Sequence, residues 1–370
     1  MKVYVLPADK HGCGHYRLVW PAYVLRRDFG WDVEIIPPGS SKEHKGFKAV
    51  MRETSPGVKE IVSLSIPDDA DILVVQRPAH QYQPNMIQVL RQNGITVVVD
   101  MDDDMTHIHR NNIAYATYSP RSDSPFSWQY ATESCRAATF VTTSTRALQR
   151  VYAHPERGAV LDNYVPAATL TYSKPETGTF GWTGVTQSHP DDLTVCGNGA
   201  RRLIDEHHSF KVVGSSFMKR KPPLHPLKST VKEQLRLRQE PEFTGAVELN
   251  EWVRSIAQHL DVGMVPLAPS AFNTSKSRLK GIEYMSVGVP WVGSPREEYR
   301  RLHRESGCGL LADTPKDWYS KLKLLITDDV LRKEQAEAGR EFMKGQTYQA
   351  NAWRWWEAWT RALDIERGSS

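Results

Sequence analysis

Hydrophobic residues along the chain fall into two alternating patterns. Short apolar runs at residues 3–6, 33–36, 72–75, 95–99, 139–142 and 159–161 predict strands. The unbroken β-branched character of 72–75 and 95–99 is that of parallel strands covered on both faces. Between the runs the apolar spacing changes to three and four. Leu18, Ala22 and Leu25 share one helical face after the glycine-containing loop HGCGHY (11–16), and Met86, Ile87 and Leu90 mark a helix that stops at Asn93-Gly94. This βαβα order predicts a parallel sheet with helices on both sides.

A polar stretch at 166–179 reads as a linker, and the rhythm then restarts with strands predicted at 180–183, 211–213, 242–244, 262–266, 289–292 and 310–311. The fold class is therefore α/β with two domains, 1–166 and 175–345, as a length of 370 residues allows. In NAWRWWEAWTRAL (351–363), Ala352, Trp356, Trp359 and Leu363 recur at helical spacing with Trp355 beside them and Trp353 toward the edge. A terminal helix over about 346–370 that buries aromatic bulk is the prediction.

Composition removes several classes. No apolar run approaches the ~18 residues of a membrane span, and MKVYVLPADK has too short an apolar core for a signal peptide. Cys13, Cys135, Cys196 and Cys308 form no CxxC pair or Cys/His cluster, which argues against a disulfide framework or a zinc site and fits the cytoplasm. A net charge of +4 is too small to mark a nucleic-acid binder. It conceals one basic stretch at 217–239, in which Lys219, Arg220, Lys221, Lys228, Lys232, Arg236 and Arg238 face a single acid, Glu233. That stretch is either a solvated face or a track along a phosphate backbone.

The densest candidate chemistry lies in DVGMVPLAPSAFNTSKSRLKGIEYMSVGVPWVGSPREEY (261–299). A buried strand ends at Pro266, and Asn273, Thr274 or Ser275 can cap a helix running to about Ser286. A helix start beyond a strand's carboxyl end is an anion site, and Ser275, Lys276 and Ser277 add hydroxyls and an ammonium. Glu283 lies two turns after Lys276 on roughly the same face, where a carboxylate can receive two ribose hydroxyls. Together these make a nucleotide site; the alternative is a solvated Ser/Lys cap with Glu283 in a surface ion pair.

The string FNTSKSRLKGIEYMSVGVPWVGSP resembles the donor-nucleotide segment of retaining GT-B glycosyltransferases, a family 4-like group with many phage-encoded and bacterial members. GCGHYR, VVQRP (74–78), VVVDMDDDM (97–105), LDNYVP (161–166), FGWTGVTQSHPDDL (180–193), FTGAVELNEW (243–252) and GCGLLADTPKDW (307–318) agree in order over nearly the whole chain. The resemblance implies two Rossmann-like domains facing across a cleft, a last helix that crosses back to the first domain, and hexose transfer from a nucleoside-diphosphate sugar, UDP-sugar favoured, with retention and without a metal or other cofactor. Glu283 matches the family's ribose-binding glutamate. Ser275 stands where the family's upstream glutamate should fall, and the basic pair after the second domain's first strand is absent. Lys276 with Lys280 is the expected replacement, and Gly184, Thr186, Ser188 and His189 are expected beside the diphosphate.

In the first domain, Gly12, Cys13, Gly14, His15, Tyr16, Arg17, Gln76 and Arg77 follow strands at the ligand end of the sheet. The resemblance implies the first three at the donor and the rest at the acceptor, the alternatives being a mere tight turn, a surface Arg17 and loop packing for Gln76 and Arg77. Asp100, Asp102, Asp103 and Asp104 invite a metal reading. Given the resemblance, Asp102, Asp103 and Asp104 with His107 are better expected as acceptor ligands or a base, and Lys276 as the group stabilising the leaving phosphate. His109 is near enough to join them. Hydroxymethylated pyrimidine in phage DNA, which would have to be flipped out of a duplex, or a virion protein is the expected acceptor. A monomer or weak dimer in the cytoplasm, the host's if phage-encoded, completes the reading. Its rival is a catalytically silent nucleotide-sugar or nucleic-acid binding module of the same fold.

Overall fold

The computed structural model describes residues 1–38, 48–55, 58–120, 126–215 and 230–368. Lys219, Arg220, Lys221 and Lys228 of the basic stretch lie outside the described residues. Among the described residues, eight strands precede the linker: β1 (Val3–Leu6), β2 (Val33–Ile35), β3 (Lys48–Ser55), β4 (Val58–Ser65), β5 (Ile72–Gln76), β6 (Thr96–Met101), β7 (Phe140–Thr143) and β8 (Gly158–Val160). Six of the described strands follow it: β9 (Thr179–Val185), β10 (Ser209–Ser215), β11 (Glu242–Phe243), β12 (Val262–Val265), β13 (Trp291–Gly293) and β14 (Leu310–Leu311).

Two parallel six-stranded sheets result, ordered β2-β1-β5-β6-β7-β8 and β11-β10-β9-β12-β13-β14. In β5 and β6 every residue is buried, as strands covered on both faces must be. In each sheet the order reverses beside the first strand, between β1 and β5 and between β9 and β12. Such switch points open a crevice at the strands' carboxyl ends, where ligands of open α/β sheets bind.

Three local features depart from the sequence reading. The pair β3 and β4 forms an antiparallel hairpin that the apolar pattern does not announce, because it interleaves charged residues with apolar ones. HGCGHY is no loop: Gly12–Gly14 already forms a helical turn, His15–Val19 a π turn, and Trp20–Asp28 continues as α-helix. The single helix expected up to Ser286 is broken into Ala271–Thr274 and Leu279–Ser286. Ser270 caps the first piece, while Asn273 and Thr274 lie inside it and Ser275 follows it.

The last helix, Trp353–Gly368, packs on the first sheet rather than the second. Trp355, Trp359 and Leu363 join Val5, Val98 and Phe140 in one cluster, and Trp356, only partly buried, stacks on Trp31 at 4.4 Å. Trp355 rather than Trp356 is thus the centre of the buried face. The carboxyl-terminal segment also fixes the π turn: Trp355 Nε1 donates to the Arg17 carbonyl at 2.8 Å, and Tyr348 Oη to that of Tyr16 at 2.5 Å.

Candidate active site

The crevice of the second sheet is built around Lys280. This lysine sits in the first turn of Leu279–Ser286, and its ammonium reaches back to the Thr183 carbonyl at 2.7 Å, near the end of β9. It also lies 4.6 Å over the Trp182 ring. Gly184, at φ +133°, makes the space: a Cβ there would stand 3.0 Å from the Lys280 Nζ. No carboxylate among the described residues pairs with Lys280. Burial therefore pulls its pKa down to about 7, with Asp192 and Glu283 offsetting part of the cost and Lys276 adding to it.

His189 stands edge-on to the same Trp182 ring and 3.0 Å from Asp192 through Nδ1. Burial and Lys280 hold its pKa down to about 4 despite that partner, so it is neutral at physiological pH. Asp192, buried, spends its charge on the site's frame: it accepts from the Ala268 amide at 2.9 Å and from Asn273 Nδ2 at 2.6 Å. Its carboxyl is held below the usual range, burial being outweighed by His189 and Ala268. Asn273 is thus a strut between loops, not a helix cap. Thr186 and Ser188 form the short turn before His189.

Residues 275–278 face the first domain. Lys276 Nζ lies 2.7 Å from Asp103 Oδ1 and 4.4 Å over the Phe272 ring. Burial lowers the Lys276 pKa, but Asp103 outweighs it and holds the ammonium charged. The Ser275 carbonyl accepts from Thr145 Oγ1 at 3.1 Å, and Ser277 Oγ from Asn163 Nδ2 at 3.1 Å. Thr274 turns its hydroxyl back to the Ser270 carbonyl and is exposed. On the far flank, the Ile113 amide donates to the Gln187 carbonyl at 2.9 Å and Asn112 to that of Ser188 at 3.2 Å, so the two domains meet on both sides of the crevice.

Glu283 is not open to the crevice. Only 3% exposed, it accepts from Tyr16 Oη at 2.6 Å, across the domain boundary, and from the Trp252 side chain. Burial pushes its pKa up, those two donors opposing.

The first domain's candidates divide into frame and crevice. Arg17 and Asp100, 1% and 0% exposed, form a two-pronged pair at 2.8 and 3.0 Å, and Arg17 also donates to the Leu161 carbonyl and Asn163. Both are structural, and Arg17 does not face the cleft. Asp104, itself buried, caps the turn Met105–His107 through the Thr106 amide and holds His107 Nδ1 at 2.8 Å, while the His107 side chain is half exposed. Gln76 is a strut between the Ala8 amide and the Cys13 carbonyl. Gly14 is required by its own neighbours, since a Cβ would strike the Asp9 carbonyl at 2.1 Å, whereas one at Gly12 meets nothing closer than Tyr16 at 4.0 Å.

Toward Lys276 stand Cys13, Arg77, Asp102 and Asp103. Arg77, held at φ 47°, pairs with Asp9 at 2.5 Å and lies 3.3 Å from Asp102 Oδ1. Burial raises the Asp102 pKa against the pull of Arg77, and burial likewise raises the Cys13 thiol. His15 turns its ring to the His11 carbonyl and Trp20. The aspartate run is thus dispersed among separate partners, and among the described residues no group of three or more His, Cys, Asp or Glu is placed to hold a metal ion. Among those residues, too, no helix is long and apolar enough to cross a membrane.

Residues 179–328 match the family model described as Glycosyl transferases group 1. Solved structures match over both domains. A glycosyltransferase from Rickettsia africae is 10% identical, with a TM-score of 0.63 over 98% of each chain. Anabaena HepE in complex with UDP and glucose is 13% identical, with a TM-score of 0.59 over 96% of this chain and 98% of that one. The fold is GT-B. An alpha-glucosyltransferase in complex with UDP and a 13-mer DNA shares this GT-B architecture at 14% identity, with a TM-score of 0.61 over 99% of this chain and all of that one. No curated protein matches the chain in sequence.

The sequence reading missed Asp192, Trp182, Trp252, Asp9, Thr145 and Asn163 as members of the site. Asp192 had a readable signal in the spacing H-P-D-D after His189. The others meet the site only through tertiary packing.

Proposed function

We propose that the chain is a glycosyltransferase that moves a hexose from a UDP-sugar to a hydroxyl, with its diphosphate bound at the second sheet's switch point. Lys280 carries this reading: a largely buried ammonium without a carboxylate partner, aimed at the carboxyl end of β9, is a charge waiting for an anion. A diphosphate there supplies the missing counter-charge, restores the lysine's pKa and gains a second cation in Lys276. As the bond to the sugar breaks, charge grows on the leaving phosphate, and those two fixed ammonium groups stabilise it without reorganising. The acceptor enters from the first domain, where Asp102 and Asp103 approach Lys276. Retention, with the leaving phosphate taking the acceptor's proton and no metal needed, is part of the proposal and rests on the resemblance of the donor segment.

A macromolecular acceptor, DNA or protein, is favoured by the likeness to a GT-B enzyme solved with DNA. One feature of the resemblance favours the rival reading, a silent binding module: Ser275 stands where the donor segment's upstream glutamate is expected. Incubation with a panel of nucleotide sugars and with hydroxymethylated DNA, protein and simple sugars, in EDTA, read by mass, decides between them. The proposal expects a hexose mass shift on one acceptor, and nucleotide binding with no turnover on any of them would favour the silent module.

A further inference from the structure

The bond between Tyr16 and Glu283 joins the two domains through two buried side chains. The Tyr16 hydroxyl donates to Glu283 Oε1 at 2.6 Å while Trp252 donates to the same carboxylate. Both residues are 3% exposed, so no ligand hydroxyl reaches Glu283 while Tyr16 is in place. Tyr16 is carried by a π turn, His15–Val19, a rare helical form common where function demands an irregular backbone. The turn is gripped from behind by Tyr348 and Trp355, which bond the carbonyls of Tyr16 and Arg17 and leave the ring and hydroxyl to point across the boundary.

We infer that the Tyr16 hydroxyl is an internal stand-in for a ribose hydroxyl, and that a nucleotide gains Glu283 by displacing it. The inference rests on the proposed nucleotide site. Tyr16 then sets nucleotide affinity and selects for ribose: only a ligand bearing vicinal hydroxyls replaces the donor that Glu283 loses, and a ligand lacking them leaves a buried carboxylate with an unmet acceptor. Among the other contacts across the boundary, the Lys276 to Asp103 pair is partly exposed and screened.

The test is calorimetric titration of UDP and of 2′,3′-dideoxy-UDP into the full chain and its Tyr16→Phe variant. Removing the hydroxyl removes the competitor and keeps the ring. UDP should bind Tyr16→Phe roughly three- to tenfold more tightly than wild type, and the gain should vanish with dideoxy-UDP. A merely structural tyrosine lowers the melting temperature without changing the rise that UDP produces, whereas here that rise grows. Equal or weaker UDP binding by the variant, or an equal gain with dideoxy-UDP, overturns the inference and leaves the nucleotide site standing. No UDP binding by the wild-type chain overturns the nucleotide site and the inference together. Should Tyr16→Phe fail to fold, amide hydrogen exchange over 12–20 in wild type serves: UDP raises it and dideoxy-UDP does not, while equal responses refute the displacement.

Discussion

Lys276 Nζ lies 2.7 Å from Asp103 Oδ1, and the two residues belong to different domains. Their side chains are 22% and 27% exposed, so the pair is partly solvated and contributes at most about 1 kcal/mol to stability. Lys276→Ala and Asp103→Ala should therefore unfold in denaturant within about 1 kcal/mol of wild type. Their binding should split: Lys276→Ala loses UDP affinity, while Asp103→Ala frees the ammonium and keeps or gains it. Equal losses in both variants would show that the pair itself, and not the lysine, serves the ligand.

Arg17 and Asp100 present the opposite case. Both are essentially inaccessible, and each satisfies the other with two hydrogen bonds. Asp100→Ala strands a buried guanidinium and should cost about 3–5 kcal/mol in chemical denaturation. An Asp100→Ala protein as stable as wild type would refute this assignment.

Trp355→Ala opens a cavity where the last helix meets the first sheet and removes the grip on the Arg17 carbonyl. A loss of about 3–5 kcal/mol is expected by denaturation, against a small change for the exposed Trp353→Ala.

Lys280 gives the site a pH dependence. Its folded pKa of about 7 lies below its unfolded value of 10.5, so between those values the unfolded chain holds the extra proton, and this lysine's contribution makes the fold more stable as pH rises through that window. Binding has the opposite sign. An anion favours the ammonium, so UDP affinity should fall as pH rises above about 7, with a proton taken up on binding. Phosphate's own second ionisation, near 6, is complete in that range. Titrations at pH 7.5 in buffers of different ionisation enthalpy measure the uptake, and none would mean that Lys280 does not receive the anion.

The architecture was legible because parallel strands announce themselves locally. VVVDM and ILVVQ need no partner to be recognised, and the aromatic spacing at 351–363 shows a buried face before anything packs on it. The candidate site was legible by location only. The sequence names Lys276, Lys280, His189 and Glu283 as candidates but not the relations among them, since each depends on a residue far away in sequence: Asp103 for Lys276, Thr183 and Trp182 for Lys280, Tyr16 for Glu283. The broken helix at 275–278 was hidden for the same reason. Helix-capping chemistry at Asn273 to Ser277 is locally sound, but tertiary partners take it over: Asp192 draws Asn273, Thr145 the Ser275 carbonyl, and Asn163 the Ser277 hydroxyl.

The most direct test of the account is a calorimetric titration of UDP into wild type and Lys280→Met at pH 7.5. An apolar side chain of similar length relieves a desolvated charge, so Lys280→Met should melt at the same temperature as wild type or higher, while binding UDP at least about tenfold more weakly. Undiminished UDP binding in Lys280→Met, or no binding in wild type, would contradict the assignment of the second sheet's crevice as the nucleotide site.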